Sequence, residues 1–101
     1  MHHRLDPRDF VGQPLYLRKI GDGDYRVTTC GHTAGRLLRT MRGGNQQVWL
    51  WTLTGPYCVA AGLGTSGESD HLDTAKQTLR ATFDAWLAWA IRQNGAVAWH
   101  E

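Results

Sequence analysis

Residues 70–94, DHLDTAKQTLRATFDAWLAWAIRQN, decide the fold of this chain because they carry its clearest periodicity. Apolar residues recur there at steps of three or four, the period of one helix face. The stripe consists of Leu72, Ala75, Leu79, Phe83, Trp86 and Ala90. The opposite side is polar. The pattern predicts one long amphipathic helix from Asp70 to Asn94 that buries its apolar face against other elements.

Both ends of this helix carry local signals. Asp70 is a favourable N-cap, and Asp73 is placed to complete a capping box and to face the positive end of the helix dipole. At the other end, Asn94-Gly95 is typical of a helix stop.

Glycine-containing turns divide the region before the helix into short stretches of strand character. The predicted strands are residues 15–20, 25–30, 36–42, 47–54 and 57–63. Residues 47–54, QVWLWTLT, are apolar on both sides, which favours a central strand. Short turns favour antiparallel neighbours. We therefore predict an α+β fold, a four- to five-stranded antiparallel β-meander with one long C-terminal α-helix packed on one face. Residues 96–99 add an edge strand or pack as a tail.

Length and composition indicate one small domain. At 101 residues the chain suffices for one core. Residues 1–14 are predicted to form an irregular N-terminal arm and residues 15–101 a single domain.

No long apolar run is present and the first ten residues do not resemble a signal peptide. We therefore predict a cytoplasmic protein, and in that reducing compartment Cys30 and Cys58 are expected to be small buried thiols.

Six short motifs carry a resemblance that spans Gly35 to Ala90. They are Gly35-Arg36, Gly43-Gly44, Trp49-x-Trp51, Gly62-x-Gly64, Leu72-x-x-Ala75-Lys76 and Trp86-Leu87-x-Trp89. This pattern resembles a group of short uncharacterised proteins common in alphaproteobacteria, although Asp73-Thr74 replaces the two acidic residues more usual there. The resemblance implies no activity. The strand-to-helix junction is also similar to the partial ribonuclease-H-like fold of HicB-type antitoxins, but nothing matches the DNA-binding tail of that family.

Motifs for catalysis or metal binding are sparse. Cys30-x-His32 offers two potential ligands or a thiol–imidazole pair, but no CxxC, HxxxH or HExxH accompanies it. Residues 62–67, GLGTSG, match a dinucleotide-binding string without the βαβ unit that such a site requires. We therefore predict no catalytic residue, no metal and no cofactor.

The charge distribution is uneven. Residues 15–58 contain six basic and two acidic side chains, a balance of +4, whereas residues 59–101 have a balance of −2. Such asymmetry permits an anionic partner on the sheet.

The candidate interaction surface is the sheet face that a single helix leaves open. Trp49 and Trp51 share one side of their strand. If the helix covers the other side, both tryptophans lie on the open face among the arginines, and the candidate residues are Trp49, Trp51, Arg18, Arg26 and Arg39. The alternative packs both tryptophans against the helix.

Three functions are compatible with these features. The first is a non-enzymatic binding or assembly module, which forms a homodimer through the open sheet face or a sheet edge or binds another protein. The second is a nucleic-acid-associated protein that uses the basic, tryptophan-bearing sheet as a stacking platform. The third, suggested by small size and scarce motifs, is a phage or mobile-element inhibitor of a host system.

Overall fold

The structure is a computed structural model that describes residues 2–56, 61–93 and 97–100, with the side chains described for 5–56 and 61–93. Its elements are β1 (His2–Leu5), a 3-10 helix (Pro7–Phe10), β2 (Tyr16–Gly21), β3 (Asp24–Thr29), β4 (His32–Arg42), β5 (Gln46–Leu53), β6 (Ser66–Ser69), α1 (Leu72–Arg92) and β7 (Val97–His100). The predicted α+β class is confirmed.

The main sheet has five strands in the order β2-β3-β4-β5-β6, and every neighbouring pair is antiparallel. The predicted meander is therefore confirmed, but its last strand is misplaced. Part of the predicted strand at 57–63 lies outside the described residues, and residues 61–65 are not a strand. The fifth strand is β6, whose sequence SGES is polar. It forms because β5 offers it a complete edge, from Trp49 opposite Ser69 to Thr52 opposite Ser66.

A second, two-stranded sheet joins the two ends of the chain. β1 pairs with β7 in antiparallel register, with His2 opposite His100 and Leu5 opposite Val97. The predicted irregular arm at residues 1–14 therefore contains both a strand and the 3-10 helix. The 3-10 helix buries Phe10, which is 2 % exposed, in the core.

The long helix is close to its predicted position. α1 begins at Leu72, and its N-cap is His71, which makes no side-chain cap hydrogen bond. The predicted cap at Asp70 is thus one residue early, because the chain turns there directly after β6. The predicted apolar stripe is buried as expected: Ala75, Leu79, Phe83, Trp86 and Ala90, joined by Leu87.

The core lies between α1 and one face of the main sheet. The helix rests mainly over β5, β6 and the 3-10 helix, so β2 and much of β3 lie beside it rather than beneath it. Phe10 meets Phe83 edge to face, with ring centroids 6.3 Å apart. The opposite face of the sheet has no described helix against it.

Candidate functional site

Both tryptophans of β5 face the helix. Trp49 is 9 % exposed and Trp51 is 5 % exposed, and both belong to the core cluster. Trp49 lies beside Tyr25, with ring centroids 6.2 Å apart. A Cβ atom on Gly67 would stand 2.7 Å from Nε1 of Trp51, so this indole covers the backbone of β6. A tryptophan platform on the open face is therefore not formed.

Arg39 lies on the same side of the sheet as the tryptophans. It is directly opposite Trp49, and residues opposite each other in an antiparallel pair point to the same face. Nη2 of Arg39 donates to Oδ2 of Asp22 at 2.7 Å. The structure thus divides the five predicted surface residues. Arg18 and Arg26 lie on the open face, and the other three lie on the helix side.

The open face carries a row of arginines that crosses three strands. Arg18 is opposite Arg26, and Arg26 is opposite Arg36. The row continues with Thr52 and Ser66 on β5 and β6. Because neighbouring strands lie about 4.8 Å apart, the three arginine side chains start within about 10 Å of one another.

Arg36 was not among the predicted surface residues because a β-bulge decides its register. A regular hairpin around the turn at Cys30-Gly31 would put Gly35 opposite Arg26. The register shifts between Val27 and Thr28, so Arg36 takes that place instead. The composition of the strand contains no signal for this one-residue shift.

Only one arginine of the row is neutralised by a described residue. Nε and Nη2 of Arg36 donate to Oδ1 and Oδ2 of Asp24 at 2.8 and 2.6 Å. These hydrogen bonds, together with the guanidinium charge, hold the pKa of Asp24 below its usual value and raise the pKa of Arg36. Arg18 and Arg26 make no ion pair with any described residue. Because like charges directly opposite each other destabilise a sheet, this row favours a bound anion.

Hydroxyl groups and one aromatic ring surround the arginine row. Tyr16, 61 % exposed, is opposite Thr28, and Thr28 is opposite Thr33. A shallow depression of about 210 Å³ lies beside the row; its lining residues are Ile20, Arg26, Thr33, Gly35, Arg36 and Thr54. This part of the face therefore combines positive charge, hydrogen-bond donors and a stacking surface.

The far end of the open face is neutral. Nη2 of Arg42 lies 2.6 Å from Oε2 of Glu68, so this ion pair joins β4 to β6 across β5. Val48 lies on β5 between the residues opposite Arg42 and Glu68, and it is fully buried. The unbalanced positive charge is thus concentrated on β2 and β3, at the end of the sheet away from β6.

Cys30 and His32 lie at the turn between β3 and β4. Cys30 is exposed and free, contrary to the expectation of a buried thiol, because it lies in the two-residue turn between β3 and β4. The ring of His32 lies 6.1 Å from that of Phe10. Within the described part of the chain, no group of three His, Cys, Asp or Glu residues is placed to hold a metal ion. Cys58 lies outside the described residues.

No family model, curated protein or solved structure matches this chain. The resemblances to the alphaproteobacterial group and to the HicB-type fold therefore stay predictions. Among the described residues, no helix has both the length and the apolar character needed to cross a bilayer.

Proposed function

We propose that this protein is a non-enzymatic binding module whose open sheet face binds single-stranded nucleic acid. The observation that supports this most directly is the row Arg18, Arg26 and Arg36, in which only Arg36 has a carboxylate partner. The planar guanidinium fork matches the geometry of a phosphate group and binds it through charge-assisted hydrogen bonds. A phosphate backbone laid across the strands relieves the repulsion between neighbouring arginines.

The shape and chemistry of the face favour a single strand over a duplex. The exposed ring of Tyr16 suits an unpaired base, which can stack on it, whereas the bases of a duplex are already stacked on one another. The neighbouring threonines, Thr28 and Thr33, add hydrogen-bond donors without sequence specificity. We therefore expect sequence-tolerant binding that depends strongly on salt.

Self-association through the same face is the second candidate. Tyr16 and Ile20, 61 % and 46 % exposed, present apolar surface on β2 that a homodimer would cover. However, a two-fold axis through this face brings one arginine row close to its copy. This repulsion ranks the homodimer below the nucleic-acid proposal.

The proposal assigns the protein to the cytoplasm. Cys30 is an exposed, free thiol, and such a group persists in a reducing compartment, whereas an oxidising compartment supplies the oxidant that joins it to a second thiol, such as glutathione, in a disulfide. This location also gives the protein access to nucleic acid.

Fluorescence anisotropy with a labelled oligothymidylate and a duplex of equal length tests the proposal. We expect the single strand to bind more tightly, with an affinity that falls between 50 and 200 mM salt. Replacing Arg18 and Arg26 by alanine together should reduce the slope of log K against log salt by about 1.4, or about 0.7 for each lost phosphate contact. Asp24→Asn releases Arg36 and should strengthen binding.

The double variant of Lys76→Ala and Arg92→Ala is the matched control, because it also removes two positive charges, from the helix, and should leave oligonucleotide binding unchanged. Salt-independent binding, or equal affinity of the Arg18/Arg26 double variant and the wild type, would contradict the proposal. Light scattering over a range of concentrations tests the second candidate. A molar mass that stays at the monomer value at every concentration would rule out the homodimer.

A further inference from the structure

β2 forms a free edge of the main sheet. It pairs with β3 on one side, and no described strand pairs with its other side. Along Tyr16–Gly21, the backbone groups that point away from β3 are therefore available to a further strand. Such an edge is a template for β-augmentation, in which an extended peptide adds one strand to a sheet.

A pocket of about 190 Å³ opens beside this edge, between β2 and α1. Its floor is aliphatic and consists of Leu15, Leu17, Val27, Leu37 and Leu79. It exists because α1 lies mainly over β5 and β6 and leaves the β2 side of the core partly uncovered. A buried apolar cavity of 150 Å³ accommodates benzene, so this pocket has room for one large apolar side chain.

The edge and the pocket are aligned by the register of β2. Leu17 lies near the middle of the strand, opposite Val27, and both residues line the pocket. A residue that pairs with Leu17 from the free side points to the same face of the sheet. A strand added to β2 therefore directs one side chain towards the pocket and its immediate neighbours towards the open face.

Basic side chains flank the groove. Lys76 and Arg80 of α1 line the pocket, and Nη1 of Arg80 donates to the backbone oxygen of Gln13 at 3.0 Å, which ties the helix to the segment before β2. Lys19 lies on the same side of β2 as Leu17 and makes no ion pair with any described residue. On the other side of the strand is the equally unpaired Arg18. These charges complement an acidic segment.

We propose that the groove between β2 and α1 binds an extended acidic segment of a partner protein, which pairs with the free edge of β2 and inserts one large apolar side chain into the pocket. A second copy of this chain is a poor occupant. Antiparallel pairing of β2 with itself brings Arg18 and Lys19 close to their own copies, whereas acidic residues on a partner strand form ion pairs with them. This surface shares Arg18 with the arginine row proposed to bind nucleic acid, but its pocket lies on the other face of the sheet.

A fluorescein-labelled peptide with the sequence EEVFVEE is the probe. In an extended strand its second and sixth glutamates share the face of the phenylalanine and meet Lys19, Lys76 and Arg80, whereas its first and last glutamates lie on the face of Arg18. We expect saturable binding and new hydrogen-exchange protection of β2 amides. The peptide KKVFVKK, in which lysine replaces every glutamate, should not bind. Proline in place of the valine before phenylalanine should weaken binding at least tenfold, because it removes a backbone donor and the pairing geometry.

Leu17→Trp fills the pocket from a half-buried position and should weaken peptide binding at least tenfold. Leu50→Trp is the matched control, since it makes the same change at another half-buried leucine, on the open face of β5 and three strands away from β2, and should leave peptide affinity unchanged. Failure of EEVFVEE to bind, equal binding of KKVFVKK, or equal affinity of the Leu17→Trp variant and the wild type would overturn the proposal. Leu17→Trp should leave oligonucleotide binding intact, and Arg26→Ala should leave peptide binding intact, so the two proposals fail independently.

Discussion

The backbone oxygen of Thr52 occupies the space that a Cβ atom on Gly35 would need. β4 and β5 thus approach each other closely beside the position where Arg36 is opposite Thr52. This close approach helps to hold the register in which Arg36 of β4 is opposite Thr52 of β5. Position 35 therefore requires glycine for packing, although its φ angle is not in the left-handed region.

Gly35→Ala should lower the free energy of unfolding by about 3 kcal/mol, because the new methyl group meets backbone that cannot rotate away. Urea denaturation monitored by tryptophan fluorescence measures the change. Gly64→Ala is the control, because a Cβ atom on Gly64 would have no heavy atom within 4 Å apart from those of its chain neighbours. Its effect on the free energy of unfolding should stay within about 0.5 kcal/mol. Equal stability of the two variants would contradict the close approach.

Cys30→Asn should stabilise the protein by about 0.5–1 kcal/mol. Cys30 and Gly31 form the two-residue turn between β3 and β4, and their φ angles are 51° and 76°. Positive φ at both positions is the geometry in which Asn-Gly is preferred, and cysteine is disfavoured in it. A thermal melt compares the variant with the wild type; a lower melting temperature would count against this turn geometry.

The ion pair of Asp24 and Arg36 should make the effect of Asp24→Asn depend on pH. The pKa of Asp24 is lowered in the folded protein, chiefly by hydrogen bonds from Arg36, so its ionised form favours folding. This contribution is present above the unfolded pKa, near pH 4, and is lost as the pH falls through the folded pKa. The variant should be less stable than the wild type at pH 7, and the difference should shrink as the pH falls below about 4 and vanish below the folded pKa.

Urea denaturation at a series of pH values checks this dependence. Asp9→Asn is the matched control at an exposed carboxylate that makes no ion pair with any described residue, so its effect on stability should stay small at every pH. A stability difference for Asp24→Asn that stays constant from pH 7 to pH 2 would show that the carboxylate charge is not responsible.

Phe10 and Phe83 should be energetically coupled. Both are almost fully buried, and their rings meet edge to face across the contact between the 3-10 helix and α1. Each single change to leucine should destabilise the protein, and a double-mutant cycle should give a coupling of about 0.5–1.5 kcal/mol. A coupling near zero would mean that the N-terminal segment packs on the helix without this aromatic contact.

The most predictable element was the helix, because its signal is local. Six apolar residues at helical spacing specify which face of α1 is buried without reference to any other element. The hairpins were almost as predictable as the helix, because glycines at 23, 31, 43 and 44 mark the turns and have positive φ angles. β6 was missed for the opposite reason: its polar sequence has no intrinsic strand signal, and only the edge of β5 makes it a strand.

The candidate site was harder to predict than the fold. β5 is apolar on both sides, so the alternation of its residues does not show which side is buried. The position of α1 decided that Trp49 and Trp51 face inward. The arginine row depends on a bulge between β3 and β4 that shifts Arg36 by one residue. A one-residue shift changes every cross-strand neighbour, and nothing in the residues themselves specifies it.

The sequence by itself therefore determined the elements whose signals lie within a few residues: one amphipathic helix, a series of short strands, and the turns between them. The tertiary structure alone decided which strands pair, which face of the sheet the helix covers, and which arginines stand side by side. The physical reason is that periodicity and turn chemistry act locally along the chain. Register, by contrast, depends on packing between residues far apart, such as Gly35 against Thr52.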